Sequence, residues 1–318
     1  MTKKRRFRLK YCILAGFLFT TIFISTGCVT VDEGYNIERV DDISETQISS
    51  GSDDALFSKK LPEMTDDEYE RLGDALLRKG KLHLAFLQYE RSLQLNPDNL
   101  RVEYKMGLTL LVGKKPDDAI EQFKAVLQKD PEYALAYEGL GRAFLQKREF
   151  DQAEISFRKA LDISAGLWKA HNFLGNIYDY QKKYEKAVNE YTFALMVKPD
   201  EGTLYNNLGV SYSLAGDYKK AVDAFNRAIA LKYTKSKVYN NLGLVLANLD
   251  RYSEALEAFK KGGGEARAYN NMGCIFLNKG MVKEAIDCFE KAIELDPVFY
   301  GKASENLHRA KSELSNQN

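Results

Sequence analysis

A period of 34 residues runs through most of this 318-residue chain and constrains its fold more than any other feature. Twelve residues after the first periodic glycine stands Ala85, and sixteen after it stands Tyr89; the later periods repeat this order. A repeat of this length is one supersecondary unit that cannot bury its apolar face alone, so neighbouring copies must stack. The periodic glycines are Gly73, Gly107, Gly141, Gly175, Gly209 and Gly243.

Within one period the apolar residues recur at helical spacing. In the fifth period they include Leu204 and Leu208, followed by Phe225 and Ile229. Ala215-Gly216-Asp217 separates the two groups and has the composition of a turn. Each period is therefore predicted to form a hairpin of two helices.

The stretch from Tyr205 to Ala228, "YNNLGVSYSLAGDYKKAVDAFNRA", resembles the tetratricopeptide repeat almost position by position. The pattern of that family places Leu-Gly in the first helix, alanine and an aromatic residue in the second, and proline at the end. The resemblance covers roughly three quarters of the chain. It implies an all-α fold: a right-handed superhelix, or α-solenoid, of about seven helix–turn–helix repeats with a C-terminal capping helix.

The predicted organisation has four parts. A signal peptide occupies residues 1–27, an acidic flexible tether 28–65, the repeats 66–299, and a capping helix with a tail 300–318. The sixth repeat is four residues short, and its Gly262-Gly263-Gly264 is predicted to end the second helix early. The repeats are placed at 66–99, 100–133, 134–167, 168–201, 202–235, 236–265 and 266–299.

The first 28 residues have the pattern of an exported chain. Six cations in the first ten residues precede the apolar run Tyr11–Ile24, which is short for a membrane span and typical of a signal peptide. Ser25-Thr26-Gly27-Cys28 resembles a bacterial lipoprotein-processing box, although that family usually has an aliphatic residue where Ser25 stands. The resemblance implies that Cys28 is diacylated. An ordinary cleaved signal and an uncleaved anchor remain the alternatives.

The segment after Cys28 is predicted to hold the repeats away from a membrane. It is rich in Asp, Glu, Ser and Thr without sustained periodicity, and about 36 residues of flexible coil span on the order of 30–36 Å. Val29 in place of aspartate resembles sorting to the outer membrane, so we expect a lipid-anchored protein facing the periplasm. Without the signal peptide, 40 basic residues face 45 acidic ones, which argues against nucleic-acid binding.

No motif for catalysis, metal binding or cofactor binding is found in the sequence. His83, His171 and His308 are not at metal-ligand spacing, and no nucleophile elbow, phosphate loop or zinc pattern occurs. We therefore predict a non-enzymatic protein without a cofactor. Cys274 and Cys288 fall on the two helices of the seventh repeat, and they are either buried thiols or, after export, a disulfide.

Asparagine is the one residue type that suggests a binding surface. It occupies equivalent positions in the first helices of the fourth to seventh repeats, with three basic residues beside it. In the resembling family these helices line a concave groove, where amides can hydrogen-bond an extended peptide backbone. Alternatively, these asparagines bond the neighbouring helix. The candidate groove residues are Asn172, Asn176, Asn206, Asn207, Asn240, Asn241, Asn270, Asn271, Lys169, Lys237 and Arg267.

These features together predict a membrane-tethered scaffold that binds other proteins or extended peptide segments through its groove. The anchor, tether and repeats resemble bacterial pilus-assembly and pilotin-type lipoproteins, so an exported complex such as a pilus or secretion system is the expected setting. An adaptor that recruits cell-wall enzymes and a periplasmic chaperone are the alternatives.

Overall fold

The computed structural model describes residues 64–296 and 300–317. Within these ranges the chain forms fifteen α-helices and no β-strand, which confirms the predicted all-α class. The predicted signal peptide, Cys28 and the tether up to residue 63 lie outside the described residues. The helices are α1 Asp66–Arg78, α2 Leu82–Leu95, α3 Leu100–Val112, α4 Pro116–Lys129, α5 Ala134–Gln146, α6 Phe150–Ile163, α7 Trp168–Tyr180, α8 Tyr184–Val197, α9 Gly202–Leu214, α10 Tyr218–Ala230, α11 Ser236–Asn248, α12 Tyr252–Gly263, α13 Glu265–Asn278, α14 Val282–Leu295 and α15 Tyr300–Gln317.

The chain divides into two compact units. The nine-helix unit contains α1–α9 and ends at Ala215, and the six-helix unit begins at Gly216 and contains α10–α15. Within each unit every helix packs against the next one along the chain. The first helices of neighbouring hairpins also touch, as α3 with α5 and α7 with α9. Contacts within a hairpin and between adjacent hairpins are the packing of a repeat protein.

The periodic glycine makes room for an aromatic ring of the partner helix. A Cβ placed on Gly73 would lie 2.5 Å from a ring carbon of Tyr89, and one on Gly141 would lie 2.6 Å from the ring of Phe157. Real Cβ atoms do not approach other atoms this closely, so any side chain at the glycine would displace the ring. The same contact recurs between Gly107 and Phe123, Gly175 and Tyr191, Gly243 and Phe259, and Gly273 and Phe289.

The alanine one helical turn before each aromatic ring is also buried. Ala85, Ala153 and their counterparts in the other second helices are fully buried, as are the rings that follow them. A methyl group at this position lets the second helix lie close against its neighbours, and the ring fills the remaining space. In each repeat that lies within one unit, the glycine, alanine and aromatic residue thus pack together.

The six-helix unit contains the irregular repeat. As predicted, the glycine triplet ends α12 at Gly263, and Gly264, with φ of 84°, is the single residue between α12 and α13. Asn240 lies against Gly262 where a side chain would otherwise project. Helix α15 closes this unit by packing on α14, with Ala303 and Ala310 fully buried.

The two cysteines of the seventh repeat differ in environment. Cys274 is buried in α13, whereas Cys288 on α14 carries a free, half-buried thiol. Cys288 is therefore not bonded to Cys274. Burial, together with the nearby carboxylates of Asp287 and Glu284, raises the pKa of the Cys288 thiol to about 11. This thiol is accordingly a poor nucleophile at neutral pH.

Replacement of Gly141 by alanine tests the glycine–aromatic contact. In an unhindered helix interior, Gly→Ala would stabilise by up to about 1 kcal/mol. Here the new methyl group meets the Phe157 ring, so we expect a loss of about 1–3 kcal/mol in the free energy of unfolding. The measurement is denaturant unfolding followed by circular dichroism.

Gly166→Ala is the matched control for this change, because nothing lies within 4 Å of a Cβ at Gly166. It should leave the stability nearly unchanged. Equal stabilities of the two variants would show that the ring is not held against Gly141.

Candidate functional site

In the nine-helix unit, a chain of amide hydrogen bonds connects two first helices. The Nδ2 of Asn207 on α9 donates to the Oδ1 of Asn172 on α7 at 3.0 Å. Asn206 donates to the Oδ1 of Asn207 at 3.3 Å. Asn172 and Asn207 are half-buried, whereas Asn206 is only 3% exposed. The amides therefore hold α7 and α9 together and also reach the surface.

One turn further along α7, a second polar group orients Asn176. The hydroxyl of Tyr191, from α8, donates to the Oδ1 of Asn176 at 2.6 Å and lies 3.1 Å from an oxygen of buried Asp179. Ser211 on α9 donates to the same Asp179 oxygen at 2.6 Å. These bonds bring side chains from three helices into one network.

The network determines which amide atoms remain for a partner. Asn172 and Asn176 both use their Oδ1 atoms as acceptors inside the protein. Among the described residues, no hydrogen-bond partner is found for the Nδ2 of either side chain. Because the two residues are four apart on one helix, their Cβ atoms are about 6 Å from each other. The surface of α7 thus presents two amide donors one helical turn apart.

Lys169, one turn before the amides, is exposed near a buried carboxylate. Burial raises the pKa of Glu138 on α5, while the charges of Arg142 and Lys169 act in the opposite direction. Glu138 occupies the position in the third repeat that Asn172 occupies in the fourth. The basic flank predicted from the sequence therefore lies next to an acidic group of the protein itself.

In the six-helix unit two of the candidate asparagines are buried. Asn270 is 2% exposed and accepts a hydrogen bond from Asn306 of α15 at 3.0 Å. Asn241 is 1% exposed, and neither of its amide atoms has a partner among the described residues. Asn240 and Asn271 are half-buried. The flanking basic residues are Lys237, which is half-buried, and Arg267, which is exposed.

Burial corrects the expectation that every asparagine of the row faces a partner. The side chains of Asn206, Asn241 and Asn270 are buried and are not presented at the surface. For Asn270 the alternative holds, because it bonds Asn306 of α15. It also holds for Asn172 and Asn207, which bond each other between α7 and α9. Asn206 bonds only Asn207 of its own helix. The half-buried members of the row are Asn172, Asn176, Asn207, Asn240 and Asn271.

Sequence reasoning missed a charged cavity at the start of the nine-helix unit. Its volume is about 350 Å³, and α1 and α3 supply its walls. Glu70 contacts Arg101 and Lys105 at 2.7 Å each, and Lys105 also contacts Asp74 at 2.6 Å. The lining residues are Asp67, Glu70, Arg71, Asp74, Arg101 and Lys105.

The charges of this cavity stabilise one another. Burial acts to raise the pKa of Glu70, but hydrogen bonds from Arg101 and Lys105 outweigh it and lower that pKa. The hydroxyl of Tyr89 donates to Asp74 at 2.8 Å, and burial together with this bond raises the pKa of Tyr89. The sequence could have indicated this cavity, because its lining residues occupy the same first-helix positions as the asparagines.

The described residues contain no cluster of three or more His, Cys, Asp or Glu side chains arranged to hold a metal ion. Among the helices of residues 64–296 and 300–317, none has the length and apolar character needed to cross a bilayer.

Comparison with solved structures finds the same fold in several proteins. The structure of the Cut9–Hcn1 hetero-tetramer of the APC/C has 22% identity and a TM-score of 0.55, covering 77% of this chain and 49% of that one. PilF of Pseudomonas aeruginosa has 22% identity and a TM-score of 0.52, covering 67% and 97%. A tetratricopeptide repeat protein of Parabacteroides merdae has 17% identity and a TM-score of 0.51, covering 77% and 98%. No curated protein matches the sequence.

The comparison with family models agrees with the helical hairpins seen in the structure. Models described as tetratricopeptide repeat match residues 69–99, 104–167, 168–234, 237–262 and 266–299. Successive matches thus extend through all seven hairpins. The chain belongs to the tetratricopeptide repeat family, a scaffold fold for protein–protein interaction.

Proposed function

We propose that this protein is a membrane-tethered scaffold that binds an extended segment of a partner protein at the surface of its first helices and assembles an exported complex, such as a pilus or a secretion system. The interaction fold follows from the family. The tether, the partner and the pathway are the proposal.

The spacing of two amide donors supports an extended peptide as the ligand. Asn172 and Asn176, which carry the two Nδ2 donors, lie one helical turn apart, with about 6 Å between their Cβ atoms. In an extended chain, carbonyl groups on one side recur every second residue, which is about 6.6 Å. The two donors can therefore bond alternate carbonyls of the same peptide, whatever its side chains.

The internal hydrogen bonds favour this function because they prepare the site before binding. Asn207 and Tyr191 hold the two Oδ1 atoms, so the amides do not have to rotate to present their donors. An ordered donor loses less conformational freedom on binding, and this increases affinity. Exposed Lys169 adds a positive charge at one end of the row.

The membrane part of the proposal depends on the sequence before the repeats. Cys28 follows an apolar signal-like run, and an acidic segment separates it from α1. Lipidation at Cys28 would keep the scaffold within reach of other exported proteins at the membrane surface. Assembly of a complex at that surface suits a repeat fold that serves protein–protein interaction.

The double substitution Asn172→Ala and Asn176→Ala tests the binding surface. Each lost hydrogen bond should reduce the binding free energy by about 0.5–1.5 kcal/mol, so the two together should weaken partner capture several-fold or more. The measurement is an affinity pull-down from membranes with the full chain, quantified by mass spectrometry after circular dichroism has confirmed the fold.

Asn189→Ala provides the matched control, because Asn189 is an exposed asparagine on α8, outside the first helices. It should leave partner capture unchanged. If the double variant captures the same partners at the same level as the control, the amides of α7 are structural and the binding surface lies elsewhere.

The anchor is tested by Cys28→Ser. Without the thiol there is no acceptor for the lipid, so we expect loss of fatty-acid probe labelling, and either release from the membrane fraction or an unprocessed precursor. Immunoblotting of membrane and soluble fractions gives the second readout. Labelling that persists in the variant would refute lipidation at this residue.

A further inference from the structure

The first helix of the nine-helix unit differs from the later first helices in what packs against it. Helix α3 packs on α2, and α5 packs on α4, so each of them lies against the second helix of the preceding hairpin. Among the described residues no helix precedes α1. The side of α1 that corresponds to this contact is called its outer face below.

The contact with the preceding hairpin uses three positions of a first helix. In α3, Val102 and Met106 belong to one buried cluster with Ala85 and Tyr89 of α2. Thr109, one turn further on, is also buried at 3% exposure. The residues at the same positions of α5, which cluster with residues of α4, are Ala136, Leu140 and Ala143.

At these three positions α1 carries Glu68, Leu72 and Ala75. Glu68 is exposed, and Leu72 and Ala75 are half-buried, whereas the corresponding residues of α3 and α5 are at most 7% exposed. A repeat protein needs a terminal element that covers the apolar face of its last repeat. In the six-helix unit, α15 provides such a cap by packing on α14.

The sequence shortly before α1 has the features of a short helix. Ser52-Asp53-Asp54 combines a favoured N-cap residue with two acidic residues in the first turn. Lys59-Lys60 places two cations in the last turn, and Pro62 follows. Acidic residues at the start and basic residues at the end complement the helix dipole, and proline commonly follows a helix end. The sequence therefore favours a helix over residues 53–61.

This segment has an apolar side that needs a partner. Phe57 and Leu61 are four residues apart, so on a helix they lie on one face, with Leu56 beside them. A helix of about nine residues is marginal in water unless such a face is covered. Residues 62–65 would then connect the segment to α1. Four residues also connect α2 to α3 and α4 to α5, so the length suits a helix that packs on the next one.

We propose that residues 53–61 form a helix that packs on the outer face of α1, in the place that α2 occupies on α3. A segment joined to α1 by four residues is present at a high effective concentration, which favours it over a second copy or a separate partner. Charge favours it as well. The outer face carries the Glu68 carboxylate, which bonds Thr65, and Lys59-Lys60 supplies the opposite charge.

This cap would shorten the segment that separates the repeats from a membrane. About 25 residues would remain between Cys28 and the cap, and as a flexible coil they would span on the order of 25–30 Å. The repeats would then be held closer to the surface than a tether of residues 28–65 allows. The inference is independent of the peptide surface on α7 and of lipidation at Cys28.

The double substitution Phe57→Ser and Leu61→Ser in the full chain tests the cap. Burial of one large apolar side chain favours the closed state by about tenfold or more. Loss of both should therefore accelerate amide hydrogen exchange in α1 by at least about tenfold. The measurement is hydrogen exchange followed by mass spectrometry, with peptides of α7 as the internal reference. Exchange in α7 should change much less, because three hairpins separate it from the cap.

Ile43→Ser with Ile48→Ser is the matched control, because it removes two apolar side chains from the same predicted tether but outside residues 53–61. Exchange in α1 should stay as in the parent. If α1 exchanges equally fast in the two double variants, residues 53–61 do not cover its outer face and the proposal is overturned.

Photochemical cross-linking identifies what covers the outer face. With p-benzoylphenylalanine in place of Phe57, irradiation of the full chain should give cross-links to α1 of the same molecule, at or beside Leu72 and Ala75. Mixing isotopically labelled and unlabelled chains separates these from cross-links between two copies. Cross-links to a second copy or to another protein, or none to α1, would overturn the proposal.

Discussion

The close contact between a glycine in the first helix and an aromatic ring in the second is the interaction on which the structure depends. Each hairpin needs its helices near enough to bury the ring completely, and only a residue without a side chain leaves that space. Interiors are packed at nearly crystalline density, so one extra methyl group at the contact must shift either the ring or a helix. Since neighbouring hairpins within a unit pack on one another, a shift in one repeat is transmitted to its neighbours there.

Where the buried ring is a tyrosine, its hydroxyl also positions a polar side chain on the first helix. In two repeats of the nine-helix unit the ring is a tyrosine, and its hydroxyl bonds the residue directly after the periodic glycine: Tyr89 with Asp74, and Tyr191 with Asn176. Where the ring is Phe157, no hydroxyl is present and the corresponding residue is Arg142. A buried hydroxyl needs a partner, so the choice of tyrosine also determines which polar side chain is held in place on the first helix.

Charge is distributed by the same periodicity. The hairpin turns and the loops between hairpins lie at opposite ends of the helices, so a residue type repeated at either place accumulates along an edge. In the nine-helix unit the hairpin turns carry exposed Lys114, Arg148 and Lys182 beside exposed acids such as Asp117 and Glu149, and the whole chain has a formal net charge of +1. The charges at these turns are therefore mixed in sign.

The sequence by itself determined the helical hairpins, their number, the early end of α12 and the family. These follow from local spacing, because the period of 34, the turn residues and the glycine triplet each act within one or two helices. It also identified Asn172, Asn176 and Asn207 as polar groups of a shared surface. It could not separate them from Asn206, Asn241 and Asn270, because equivalent positions in a repeat differ in burial once neighbouring helices pack.

Only the tertiary structure decided which amide atoms are used internally and which remain for a partner. That choice depends on contacts between residues far apart in sequence, such as Asn207 with Asn172 and Tyr191 with Asn176. The charged cavity between α1 and α3 also depends on such contacts, since Glu70 meets Arg101 and Lys105 only when two hairpins stack. The left-handed conformation of Lys114, Arg148 and Lys182 was also invisible in the sequence, because lysine and arginine rarely adopt it and no local pattern predicts it.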